Sequence, residues 1–462
     1  MSAAPPALLV AATHSGAGKT TAVGVIVRAL RARGASVQTF KLGPDFIDAA
    51  YHVEASDRPA INLDLWMQGE EGVVESFRRW SRGADVSVVE AMGALFDGEN
   101  GTHRGSAAHV AKLLDIPVIV VLDVWGMTRT AGALLKGLRR FDPDLRIAGC
   151  VLNRVGSATH AAMVVDALTA HLRPLVVGTI RHDQDLVIPE RHLGLLTVEE
   201  NRATRATREE ACRRAAATLH VDRIASIAGM DGDRTVVSVP SPVPQRSPAR
   251  SARRRRRLAL ARDDAFCFYY TENLLLLEDA GFEIVPFRPT VDASLPCDVD
   301  AIYLGGGYPE SFADALSANV ALAAELRARR DNGTPIYAEC GGLVYAARSL
   351  TGFDGVRHEM AGLLPIDVVM DPEHLAIDYV SVQTLTPTPL GPSGTVARGH
   401  EFHRSRIVRS DLEPNLYDLT TSRGTRRRDG FAVDNVVASY VHLHFGSNPR
   451  VVEHLANAAG SS

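Results

Sequence analysis

The chain has 462 residues, 46% of them hydrophobic and 23% charged, with a net charge of −4. That length exceeds one ordinary core, so two domains are expected. The charge argues against a dedicated nucleic-acid binder, no apolar stretch of about 18 residues predicts a membrane span, and Met1–Pro6 carries no basic segment of a signal peptide. Five widely spaced cysteines, Cys150, Cys212, Cys267, Cys297 and Cys340, fit a reducing cytoplasm and make no zinc pattern.

The first predicted strand is the apolar run 7–12. It leads into Thr13-His14-Ser15-Gly16-Ala17-Gly18-Lys19-Thr20-Thr21, and a helical pattern follows with Val23, Ile26, Val27 and Leu30 on one face. Strand, glycine loop and helix in register form a phosphate-cradling loop. Gly16 and Gly18 let backbone N–H groups approach phosphate oxygens, and the helix N-terminus adds positive potential. Lys19 is expected to reach the β- and γ-phosphates of ATP, and the Thr20 hydroxyl to hold Mg²⁺. Thr13 stands where such loops carry their first glycine.

Further strands are expected at 36–41, 86–90, 117–123, 147–153 and 174–180, with helix-length segments between most of them. This rhythm predicts a parallel α/β sheet covered on both faces. Asp45 and Asp48 follow the second of these strands and Glu90 ends the third, so their carboxylates fall where ligands bind in open α/β sheets. Thr20, Asp45 and Glu90 are the expected Mg²⁺ side, and Asp97 lies just beyond, in 91–98 (AMGALFDG).

The rhythm breaks after about residue 221. Residues 238–257 are rich in Pro, Ser and Arg and read as an exposed linker ending in the basic run 253–257. A second α/β unit then begins, with strands expected at 258–261, 283–287, 301–304 and 335–338, and helices at 271–280 and 310–330. Glu339-Cys340-Gly341-Gly342 follows the last of these strands and precedes a helical pattern at 343–350, which makes a nucleophile elbow. A thiolate attacking an amide needs a base and an oxyanion hole. His442, with His444 two residues on in a late apolar strand at 436–443, is the expected base. Backbone N–H groups of Gly305, Gly306 and Gly307 are the expected oxyanion donors.

Taken together, these motifs resemble the cobyrinic (or hydrogenobyrinic) acid a,c-diamide synthase family over nearly the whole chain outside the linker. The likeness rests on SGAGKTT at 15–21, KLGPDFID at 41–48, NLDLWM at 62–67, PERHLGL at 189–195, LGGGYPE at 304–310, YAECGGLVY at 337–345, GHEFHRS at 399–405 and SYVHLHF at 439–445. The resemblance implies a dethiobiotin-synthetase-like ATP domain over 1–221, a linker over 222–257 and a class I-type glutamine amidotransferase domain over 258–462. It implies glutamine hydrolysis at Cys340 assisted by His442, without an obligatory third acid. Ammonia would pass internally to the ATP domain, where ATP phosphorylates an acetate carboxylate of a corrin-type macrocycle and ammonia displaces the phosphate, twice over. Ser15, Gly16, Gly18, Lys19, Thr20, Thr21, Asp45 and Glu90 would serve ATP and Mg²⁺, and Asp48 and Asp97 the acceptor. The expected partners are L-glutamine and a corrin-type tetracarboxylate, with no nucleic acid and no membrane; a homodimer is compatible with the reading.

The chain departs from the family pattern at Ala91 and Ala94, where glycines are usual, at Trp125, and at 375–379 (LAIDY), which lacks an expected glycine. These departures leave open the same chemistry on another acceptor, such as nickel-sirohydrochlorin or a specialised metabolite. A non-catalytic P-loop regulatory module is the rival of another class.

Overall fold

In Ala7–Ala12 every side chain is buried, which a strand achieves only inside a sheet covered on both faces. A computed structural model of the chain describes residues 5–191, 194, 195, 198, 201–230 and 255–460, with only the backbone at 190, 191, 194, 195 and 202. The chain divides into two units, Met1–Ser247 and Pro248–Ser462.

The first unit is built on seven strands: β1 (Ala7–Ala12), β2 (Val37–Leu42), β3 (Ile61–Leu63), β4 (Val86–Glu90), β5 (Val118–Asp123), β6 (Ile147–Val155) and β7 (Val176–Arg181). Their order is β3-β2-β4-β1-β5-β6-β7, and every pairing is parallel. β1 therefore lies between β4 and β5, where the strand order reverses and the carboxyl ends open a crevice. Helix α1 (Lys19–Arg31) follows β1 directly and buries Val23, Ile26, Val27 and Leu30, the face that its spacing predicts. Helix α2 (Ile47–Ser56) follows β2. The six strands expected here all form, with ends shifted by at most two residues; the short edge strand β3 is additional.

The second unit has a six-stranded sheet in the order Phe282–Phe287, Arg256–Ala261, Ala301–Leu304, Ile336–Glu339, Val436–Ser439, Phe431–Val433. All pairings are parallel except the last. A five-stranded antiparallel sheet runs Arg426–Asp429, Tyr417–Thr421, Ala376–Thr384, Val396–His403, His442–His444. The two sheets share a core in which Tyr303, Tyr337 and Val437 pack with Val380, Leu419 and Leu443.

Four expectations need correction. The single late strand at 436–443 is two strands in two different sheets, Val436–Ser439 and His442–His444. The helix expected at 343–350 runs from Gly341 to Ala346 and is followed by the strand Ser349–Thr351. The helix expected at 310–330 breaks at Asn319, whose side chain caps a second helix, Val320–Asp331. The linker expected at 222–257 is too long at both ends: Val221–Ile227 is a helix with Ile224 fully buried in the first core, and a strand begins at Arg256. Residues 231–254 and several of the 189–195 motif lie outside the described residues. Among the described residues no helix is long and apolar enough to cross a membrane.

Candidate active sites

The loop at 13–18 leaves the carboxyl end of β1. Gly18 has φ +87°, and a Cβ there would stand 2.2 Å from Asn153 Nδ2, so glycine is required. Asn153, near the end of β6, donates to the Ala17 carbonyl at 2.8 Å. Next to it, Arg154 donates to the Gly16 carbonyl at 2.6 Å and to Asp123 at 2.9 Å. The loop is thus clamped from behind while Ser15 and Gly16 stay exposed. α1 has no side-chain cap and no acid in its first turn, so its leading N–H groups are left for an anion. The Lys19 side chain is buried close to the His14 carbonyl. Burial, with Lys41 adding, lowers its pKa; a phosphate would favour the charged form. Thr21 donates to the Leu186 carbonyl at 3.4 Å, a role in packing the helix start.

Beside this loop is a buried charge cluster centred on Glu90, the last residue of β4. Thr20 Oγ1 lies 2.9 Å from Glu90 Oε1 and 3.1 Å from Asp48 Oδ1. Lys41 Nζ lies 2.6 Å from Asp48 and 3.0 Å from Glu90. His52 Nε2 lies 2.5 Å from the other Glu90 oxygen. Burial opposes the Glu90 charge, but Lys41 and His52 outweigh it and hold the carboxyl below the usual range. Burial likewise opposes the charge on Lys41, which Asp48 and Glu90 hold above its ordinary value.

The oxygens of Thr20, Asp48 and Glu90 are the hard donors that Mg²⁺ takes, and a cationic nitrogen between the two carboxylates shows that the place suits positive charge. Among the described residues no three carboxylate, imidazole or thiol groups form a complete metal cage. That fits an ion which keeps waters and takes substrate phosphates for the rest. The two aspartates sit differently from expectation. Asp48, assigned from sequence to the acceptor, is the one beside Thr20. Asp45, assigned to the metal, accepts from the backbone N–H groups of Ile47 and Asp48 at 2.9 Å each and so caps α2. Its carboxyl is pushed up to about 7, by burial first and Asp48 second. Asp97 is exposed on the loop leaving Glu90.

In the second unit, Cys340 follows the strand Ile336–Glu339 and opens the helix Gly341–Ala346 with φ +48° and ψ −103°. Such a conformation costs a non-glycine residue on the order of 1–3 kcal/mol, and close packing holds it. A Cβ on Gly342 would stand 2.1 Å from the Leu304 carbonyl, and one on Gly341 3.0 Å from Gly307 N. One on Gly306 would stand 2.3 Å from His442 Cε1. Cys340 Sγ lies 3.9 Å from the Phe402 carbonyl, in the strand that pairs His400 with His442. Elbow, triglycine loop and His442 therefore converge.

Burial pushes the Cys340 thiol up to about 12, with Glu310 adding to it, while the Gly341 N–H works the other way. Burial lowers His442 to about 3. The resting pair is thiol and neutral imidazole, the state a general base requires. One expected oxyanion donor is already committed: the Gly305 N–H donates to Tyr269 Oη at 3.0 Å. Gly307 N is the loop donor nearest the elbow.

Roles for Lys41, His52, Glu339 and His400 were missed in the sequence. His52 had a usable signal: it lies four residues after Asp48, on the same face of α2. His400 stacks on His442 at 4.9 Å and meets Tyr270 Oη at 2.7 Å; nothing local in its motif announces this.

The profile described as the CobQ/CobB/MinD/ParA nucleotide binding domain matches residues 8–196, and that of the CobB/CobQ-like glutamine amidotransferase domain matches residues 257–450. Proteins named cobyrinate a,c-diamide synthase are similar along almost the full length. That of Syntrophotalea carbinolica is 40% identical, covering 96% of each chain. That of Dehalococcoides mccartyi (strain ATCC BAA-2266 / KCTC 15142 / 195) is 38% identical, again over 96% of each. That of Leptospira interrogans serovar copenhageni is 38% identical over 97% of each.

Burial lowers His400, His442 and His444 below the ordinary histidine value of 6.5. The unfolded chain then binds protons at these histidines that the folded one refuses, so their contribution to stability is full above about pH 6.5 and is lost as pH falls below it; Glu339, which burial pushes up to about 7, works the other way over the same range. Scanning calorimetry is expected to show the thermal midpoint of the second unit falling steadily between about pH 7 and pH 5.

Proposed function

The chain belongs to the cobyrinate a,c-diamide synthase family, and on that footing we propose how its two sites carry out glutamine-dependent amidation in cobalamin biosynthesis. The observation that carries the reading is the pairing, on one chain, of an ATP-type loop ringed by carboxylates with a strained cysteine elbow beside a buried histidine.

In the second unit, His442 takes the Cys340 proton and the thiolate attacks the side-chain amide carbon of glutamine. The oxyanion is met by the Gly307 N–H and by backbone at the elbow. His442 returns the proton to the departing nitrogen, ammonia leaves, and water hydrolyses the thioester to glutamate. In the first unit, the loop amides and Lys19 hold the ATP phosphates. Mg²⁺ bound by Thr20, Asp48 and Glu90, rather than by Asp45, would offset phosphate charge there. An acetate carboxylate oxygen of the acceptor attacks the γ-phosphorus and ADP leaves. Ammonia then attacks the acyl carbon and phosphate departs, giving the amide. Ammonia is mostly ammonium at neutral pH, so it must be delivered without meeting bulk water. Exposed Met92, Asp97 and Trp125, on loops after β4 and β5, are the surface we assign to the macrocycle. Nothing favours another acceptor or a regulatory module.

Two variants separate the half-reactions. Cys340→Ala should lose glutaminase activity at least about 100-fold yet make product from added ammonium salts. Lys19→Ala should lose synthesis by a similar factor and keep glutaminase activity. Steady-state assays of glutamate and ADP read both. The acceptor is tested by mass spectrometry after incubation with cobyrinic or hydrogenobyrinic acid, ATP and glutamine. A diamide from either supports the assignment, and no amidation of both would overturn it.

A further inference from the structure

No acid lies on the strand that carries His442. Two residues on, His444 faces a different carboxylate, with Nε2 3.7 Å from Glu272 Oε2. The carboxylate facing His442 comes from the nucleophile's strand: Glu339 Oε2 lies 4.0 Å from His442 Nδ1. Glu339 is buried and directly precedes Cys340. Its Oε1 accepts the Leu443 backbone N–H at 2.9 Å and the Tyr337 hydroxyl, and its Oε2 accepts the Tyr303 hydroxyl at 2.7 Å. Tyr303 and Tyr337 come from the neighbouring strands Ala301–Leu304 and Ile336–Glu339.

We propose that Glu339 is a positioning residue for His442, acting both through the backbone and through charge. The bond to Leu443 N fixes the residue after His442, and so the register of the strand that carries the base. The carboxylate facing Nδ1 leaves Nε2 to take the thiol proton and stabilises the imidazolium formed when Cys340 gives up that proton. Three donors on the carboxylate favour its charged form, against a burial that pushes it up to about 7. One side chain thereby ties nucleophile and base together, and the glutaminase site has an orienting acid after all.

This inference rests on the reading of Cys340 and His442 given above, and the test separates the two. Glu339→Gln keeps the shape and an oxygen for Leu443 N but removes the charge. In the full-length enzyme it should lower glutaminase kcat about 10-fold or more, with KM for glutamine within about threefold of the parent. Synthesis from added ammonium and the thermal midpoint should be unchanged. A kcat within about twofold of the parent overturns the proposal, as does a raised KM at unchanged kcat. Loss of glutaminase together with a lowered thermal midpoint also overturns it, since the carboxylate would then serve folding. Cys340→Ala, measured alongside, must be inactive as a glutaminase; if it is active, the reading of the site itself fails.

Discussion

A carboxylate at the end of a buried parallel strand costs several kcal/mol unless charge and hydrogen bonds satisfy it. This chain places one in each unit. Glu90 ends β4 and Glu339 ends the strand before Cys340, and both are essentially inaccessible to water. Each is resolved by polar groups gathered from neighbouring elements. Glu90 gathers Thr20, Lys41 and His52. Glu339 gathers Tyr303, Tyr337 and the backbone beside His442. Each buried carboxylate thus draws groups from separate elements to one place.

Parallel sheets covered on both faces leave their carboxyl ends as the place where polar side chains can gather. In the first unit those ends present a phosphate loop backed by Asn153 and Arg154. In the second they present a cysteine in a strained conformation, held by contacts that any larger neighbour would block. The electrostatics of the two sites differ in kind. The first is a dense cluster of paired charges suited to phosphoryl transfer. In the second, burial keeps both thiol and imidazole neutral until substrate arrives.

The sequence made the parallel strands legible, because strands buried on both faces are continuous apolar runs. It also made the phosphate loop and the elbow legible, because both need glycine at fixed offsets. It did not show that the apolar run at 436–443 divides between two sheets. Periodicity records which residues are buried, not which partner buries them, and here Glu339 draws the Leu443 N–H into its own network. The different placements of Asp45 and Asp48 have a similar origin. Both follow β2, but α2 begins at Ile47, so Asp45 caps the helix while Asp48 turns back to Thr20. The commitment of the Gly305 N–H to Tyr269 depends on residues 36 positions apart, which no local motif encodes.

The central claim is that nitrogen released at Cys340 is the nitrogen that enters the acceptor activated beside Lys19. Incubation of the enzyme with glutamine labelled with ¹⁵N at the side-chain amide, ATP, the acceptor and an excess of unlabelled ammonium tests this directly. The account predicts a product whose new amides carry ¹⁵N, with one ATP consumed for each amide formed. A product carrying nitrogen only from the free ammonium pool, or amide formed without ATP consumption, would contradict it.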